Sequence, residues 1–279
     1  MKKLLLVIFT ILIISSFTET QVKWIAIGDS ITYLNEHLDE TGNRITKGYM
    51  TRVVEKLPQV RYINKGYNGW TASRVAGEID HLEIESADVY TLFLGTNDWW
   101  SGVPLGTIGD YTENKGNKTF YGSYKIIINK LLSLNKKAKI VLITPMQRGD
   151  FVHITDKKNN AWGSYKLKND QSLASFAEAV EIIGRKEKMK VVNLYKDSDI
   201  TLDNMVKFKR VKDETTHQYV NLTYPEYVGK PFNPEMDEYP YPPEAIAMTF
   251  DGLHPSDKGF EIIAELLVKV FSQLKLVSN

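Results

Sequence analysis

Cysteine is absent from this chain of 279 residues. That excludes disulfides, a thiolate nucleophile, cysteine-ligated zinc and a lipid-modified cysteine behind an apolar leader. An excess of one charge is missing too, with 35 Lys and Arg against 34 Asp and Glu. So balanced a chain carries no field that favours nucleic acid or an anionic membrane as a partner. Lys136, Lys137 and Lys139 form a mild basic cluster, read as a solvated helix end. Histidine is scarce, and His37, His81, His153 and His217 lack metal-ligand spacing, so they are expected to be structural or exposed. No repeat of solenoid period is visible.

What is present is ordinary for a soluble globular protein, 43% apolar and 25% charged. The N-terminus departs from this. Lys2 and Lys3 precede the apolar run Leu4 to Ile14, and Ser15 and Ser16 follow it. A basic start, a run short for a bilayer span and small polar residues behind it fit a secretory signal peptide over residues 1–20. The mature chain is then expected in the periplasm or outside the cell, with no membrane partner once the leader is cleaved.

Residues 21–279 alternate short apolar runs with amphipathic ones. Strands are predicted at Val22–Gly28, Val60–Ile63, Val89–Leu94, Ile140–Ile143 and Val191–Leu194. Between them Met50, Val53, Val54 and Leu57 keep helical spacing, as do Val75, Ile79 and Leu82. Further stripes run from Ile126 to Leu134, from Leu173 to Ile183, and from Ile262 to Phe271 behind a Ser256 N-cap. Such alternation predicts right-handed crossovers, a parallel sheet and a single three-layer α/β/α domain. Two stretches break it: Trp99–Lys118, rich in Gly and polar residues, and an aromatic and Pro-rich insertion at about 197–245. Both leave the carboxyl ends of strands, where open parallel sheets bind ligands.

The residues with chemistry in them lie at the same ends. Gly28-Asp29-Ser30 follows the first strand and offers a hydroxyl. Asp251-Gly252-Leu253-His254-Pro255 precedes the last helix; across that turn the carboxylate can accept from imidazole Nδ1–H and free Nε2 as a base. Gly95-Thr96-Asn97-Asp98 ends the third strand, with an amide able to donate to an oxyanion and Asp98 able to brace the loop. Asn68-Gly69-Trp70-Thr71 follows the second strand, and the Gly69 N–H is a second donor. Taken alone, the Asp251–His254 block reads equally as a turn or cap, and the other three read more readily as one.

Taken in order, the four blocks resemble the SGNH (GDSL-type) serine esterase and lipase family over essentially the whole chain after the leader. The resemblance implies a five-stranded parallel, flavodoxin-like sheet and a carboxylic ester hydrolase that needs no metal or organic cofactor. It implies Ser30 as nucleophile, His254 as general base and Asp251 as its orienting partner. The Ser30 N–H, the Gly69 N–H and the Asn97 side chain would form the oxyanion hole. Trp70 stands where the family often has Asp, so the groups bracing that loop are expected to differ. Asp29, Trp99, Trp100 and Arg148 are candidate substrate-binding residues. Of the adjacent tryptophans, either one lines the cleft and the other packs inward, or both belong to the core.

The substrate is expected to be a small-molecule or polysaccharide ester. Phe208, Tyr219, Tyr224, Tyr227, Phe232, Tyr239 and Tyr241 in the insertion either pack it onto the body or suit the apolar faces of sugars, and the second reading favours deacetylation of carbohydrate. A lysophospholipase or short-chain lipase is the alternative within the family. A non-catalytic carbohydrate-binding protein is the alternative outside it. A paired-metal phosphoesterase is disfavoured by the lack of clustered ligands around Gly95–Asp98, and an α/β-hydrolase by the lack of any Gly-x-Ser-x-Gly elbow.

Overall fold

The structure is a computed structural model that describes residues 21–274 and 276. The leader expected at residues 1–20 lies outside the described residues. The elements run β1 (Val22–Gly28), α1 (Ser30–Tyr33), α2 (Tyr49–Lys56), β2 (Val60–Gly66), α3 (Ala72–Glu78) and β3 (Val89–Phe93). Next come α4 (Thr96–Ser101), α5 (Ile108–Thr112), α6 (Phe120–Leu134), β4 (Lys139–Ile143), β5 (Phe151–Val152) and β6 (Asn160–Ala161). The chain closes with α7 (Leu173–Glu187), β7 (Lys190–Val192), α8 (Leu194–Asp197), β8 (Lys209–Lys212), β9 (Tyr219–Leu222) and α9 (Asp257–Gln273).

Five strands pair in the order β2-β1-β3-β4-β7, each ladder parallel. This is the flavodoxin-like order, and the chain changes direction across the sheet between β1 and β3. Residues of β1 alternate between the two faces. Trp24 and Ala26 enter a core built with Tyr49, Met50 and Val53 of α2 and Phe260, Ile263 and Leu267 of α9. Ile25 and Ile27 enter the opposite core, with Val75 of α3, Ile127 and Leu131 of α6 and Val180 of α7. The near-continuous apolar run of β1 is thus explained by burial on both sides.

Register sets the height of the loops. Gly28 lies level with Gly66 on β2 and with Phe93 on β3, so the three strands end together. The Ser30, Gly69 and Asn97 loops therefore emerge side by side.

The predicted elements are found with local differences. The fifth strand stops at Val192, because Asn193 turns outward as the N-cap of α8 and its side chain accepts from Lys196 N. The stretch read as a loop after Asp98 contains α4 and α5. A capping box between Thr107 and Asp110 starts α5. The insertion has its own small core, with the β8–β9 hairpin packed over Val152, Val206, Tyr227 and Tyr241.

Candidate active site

Asp29 caps α1: its carboxylate accepts from Ile31 N at 3.0 Å, which fixes Ser30 as the first helical residue at the end of β1. From the far end of the chain, the loop before α9 closes with a bridge between Thr249 and Pro255. Within it Asp251 Oδ1 accepts from Leu253 N at 3.0 Å and from His254 N at 2.7 Å. The other oxygen, Oδ2, lies 2.6 Å from His254 Nδ1. His254 Nε2 lies 2.9 Å from Ser30 Oγ. Hydroxyl, imidazole and carboxylate thus form one hydrogen-bonded line, and all three residues are buried. The ring is fixed from both sides, nearly parallel to Phe250 and edge-on to Phe151.

The second-block loop supplies Gly69, whose φ of +75° is left-handed, and a Cβ there would meet nothing within 4 Å. Glycine is required at this position by its backbone angle, and open space lies before it. Neither the Ser30 N–H nor the Gly69 N–H donates to another residue among those described. Asn97 Nδ2 donates to Trp70 O at 3.0 Å. One amide proton thus anchors the side chain, and the second remains to be given. Asp98 braces the start of α3. Its buried carboxylate accepts from Ala72 N at 2.9 Å and Ser73 N at 3.4 Å, holding the Gly69 loop against β3. Burial raises the Asp98 carboxyl from 3.8 to about 7. The same cause raises Asp29 to about 6.

A cavity of about 120 Å³ opens on this line of groups, and Ser30, Gly69, Asn97, Trp100, Arg148 and His254 all line it. Of the substrate-binding candidates it therefore holds Trp100 and Arg148. Asp29 and Trp99 are corrections. Asp29 is turned inward as a cap and is 2% exposed. Trp99 is fully buried, with Nε1 donating to Gln171 O at 2.9 Å. Phe151, His153 and Leu253 also line the cavity. His153 was expected to be structural or exposed, and no motif singled out Phe151.

The aromatic insertion is a further correction. Its rings make its own core, Tyr227 and Tyr241 are buried, and none of its residues lines the cavity. A larger groove of about 520 Å³ lies on the insertion beside β8 and β9, but it touches none of Ser30, Asp251 and His254.

The insertion reaches the site by another route. Lys209 Nζ of β8 lies 2.6 Å from Asp150 Oδ2, both side chains being buried. Asp150 Oδ1 accepts from Gly163 N at 3.0 Å and from Tyr165 Oη. The Asp150 carbonyl accepts from Tyr241 Oη. That carbonyl also abuts Gly252, where φ is +89° and any Cβ would collide with it. Gly149 N donates to Gly252 O at 2.8 Å, which completes the seam between this segment and the Asp251–His254 turn. Sequence reasoning had no signal for Lys209, since its partner is 59 residues away. Among the described residues no group of three or more His, Asp and Glu is placed to hold a metal ion.

The GDSL-like lipase/acylhydrolase family matches residues 26–262. The chain belongs to this family. It is 60% identical to a protein of known structure from Chitinophaga pinensis, described as a possible lipase, over 92% of this chain and all of that one, with a TM-score of 0.91. A protein from Lactobacillus plantarum is 19% identical, with 91% of this chain and 98% of that one aligned and a TM-score of 0.60, a likeness of fold. No curated protein matches. Membership makes the chain a carboxylic ester hydrolase.

Proposed function

We propose that the chain is an exported serine esterase that removes acetyl groups from carbohydrate. The observation that carries the catalytic reading is the 2.9 Å hydrogen bond between Ser30 Oγ and His254 Nε2. In the first step Oγ attacks the ester carbonyl carbon while Nε2 takes its proton. The carbonyl oxygen becomes an oxyanion facing the N–H groups of Ser30 and Gly69 and the free amide proton of Asn97. Collapse expels the alcohol, which receives the proton from His254 and leaves an acyl-serine. Water, deprotonated by the same nitrogen, attacks the acyl carbon; the bond to Oγ breaks, the carboxylic acid leaves, and His254 returns the proton to the serine. Asp251 keeps Nδ1 protonated and stabilises the imidazolium in both steps.

Cavity size supports a short acyl group. At about 120 Å³ it is of the order of the ~150 Å³ cavity that encloses one benzene. An acetyl fits beside Ser30, whereas an eight-carbon chain would have to leave it. Carbohydrate is supported by the rings at the rim, where Trp100 and Trp162 meet edge to face at 4.7 Å. Export is supported by the basic and apolar character of residues 1–20.

A short-chain lipase or lysophospholipase is the second reading, favoured by the description of the 60% identical relative as a possible lipase. The test is kcat/KM on acetyl, butyryl and octanoyl esters, together with a Ser30→Ala variant. The proposal expects acetyl to be preferred, and expects Ser30→Ala to lose both turnover and fluorophosphonate labelling. An octanoyl preference would establish the second reading. Retained labelling in Ser30→Ala would remove Ser30 as the nucleophile.

A further inference from the structure

We propose that Arg148 makes this cavity selective for esters of acidic carbohydrate, its guanidinium receiving a carboxylate of the sugar. The inference deepens the acetylesterase reading and rests on it.

The charge inventory of the cavity is one-sided. Among the described residues Arg148 is the one Lys or Arg that lines it, and no Asp or Glu does. The side chain is 2% exposed. A guanidinium has five N–H donors, and a buried cation normally has a carboxylate against it. Here Nη2 donates to Trp162 O at 2.9 Å, and buried Nε has no acceptor among the described residues. Arg148 makes no salt bridge among those residues either. Asp150 and Asp251 act on it through space, but both are committed elsewhere, Asp150 to Lys209 and Asp251 to His254. Burial lowers the guanidinium to about 10, which leaves it charged at neutral pH.

Two rings lie against it, Nε is sealed, and Nη1 likewise makes no hydrogen bond among the described residues. The guanidinium carbon stands 5.3 Å from the Trp99 ring centre and 4.9 Å from that of Trp100. Ring faces stabilise the cation but accept none of its in-plane protons well. Held in this way, the guanidinium can offer Nη1 to one oxygen of a carboxylate.

The charge continues beyond the cavity. Lys168 Nζ stands 4.4 Å from the Trp100 ring centre and 4.9 Å from that of Trp162. Lys166 Nζ is 5.8 Å from Trp162 and 5.8 Å from Tyr165. A second space of about 190 Å³ adjoins the first, with Phe151 and Ala161 in both walls. Lys166 and Lys230 line this second space, and its one acid, Asp150, is paired with Lys209. A cation beside the nucleophile and a lysine-and-tryptophan track leading from it fit a glycan with repeated carboxylates.

The experiment compares acetate release from an acetylated oligogalacturonide and from an acetylated xylo-oligosaccharide, with p-nitrophenyl acetate as a reference ester. The wild-type chain is expected to prefer the acidic glycan in kcat/KM, more strongly at low salt. A charged hydrogen bond is worth ~1.5–3 kcal/mol, so Arg148→Met should cut the acidic-to-neutral ratio about tenfold or more, through KM on the acidic glycan. The rim double variant Lys166→Ala/Lys168→Ala should cut the ratio about threefold, and it serves as the test where Arg148→Met does not fold. Equal kcat/KM on the two glycans in wild type overturns the proposal. So does a ratio unchanged in both variants, or a fall in kcat on both glycans alike in Arg148→Met. Failure of the wild type on p-nitrophenyl acetate as well would instead sink the esterase reading beneath it.

Discussion

Lys209 and Asp150 form a buried ion pair 2.6 Å apart, and it links the insertion to the segment that abuts Gly252. Removing one member leaves the other charge buried without its partner, which costs about 3–5 kcal/mol. Lys209→Met should therefore lower the melting temperature by roughly 6–20 °C for a domain of this size. Because the pair is tied to the Asp251–His254 turn, kcat should fall as well. A thermal melt with full activity retained would show that the seam carries no strain to the turn.

The carboxylate behind His254 fixes which nitrogen holds the proton. With Asp251→Asn the amide can present N–H toward Nδ1, and the tautomer with a free Nε2 is lost. Turnover of p-nitrophenyl acetate should drop by about 10³–10⁴ while the fold melts as before. A variant within tenfold of wild type would show that His254 is held by Phe250 and Phe151 alone.

Two donors are expected to act on the oxyanion and not on the bound ester. Asn97→Ala removes its donor and should lower kcat by roughly 10²–10³ with KM nearly unchanged, whereas Gly69→Ala keeps the backbone N–H and should lower kcat less, only as far as the strained loop moves that donor. Gly69→Ala also places a side chain at φ +75°, so its melting temperature should fall too. A rise in KM with kcat intact would assign these residues to ground-state binding.

Asp98 and Asp29 give stability a defined pH dependence. Burial lifts their carboxyls from 3.8 to about 7 and about 6, so the folded state keeps protons that the unfolded chain has released. Their contribution is complete below about pH 4 and is lost as pH rises to about 7. Glu261 acts in the opposite sense and at lower pH, since its hydrogen bond from Lys56 holds it below its usual range. Melting temperature should therefore rise on going from pH 8 to pH 5, and Asp98→Asn should flatten that slope. An unchanged slope in the variant would place the dependence on other groups.

The sheet was legible because strands buried on both faces must be apolar throughout, as Val22–Gly28 and Val89–Phe93 are. The meeting of Ser30, His254 and Asp251 was legible because every block lay at a strand end or before the last helix. The inward or outward sense of a ring was not. Trp99 and Trp100 differ by about 100° around α4, and spacing could say neither which of them turns inward nor whether both do. Composition likewise could not tell rings that face a sugar from the Tyr227 and Tyr241 that fill the core of the insertion. The capping box at Thr107 and Asp110 was visible in the sequence and was outweighed by the glycines around it.

The nucleophile stands at the end of the first strand and the base just before the last helix, 224 residues later. Neither terminal portion alone holds the means to cleave an ester. A chain interrupted anywhere before position 254 lacks the imidazole, and one still emerging from synthesis lacks it as well. Hydrolysis begins only when the final segment has docked, so turnover itself reports that the polypeptide is whole.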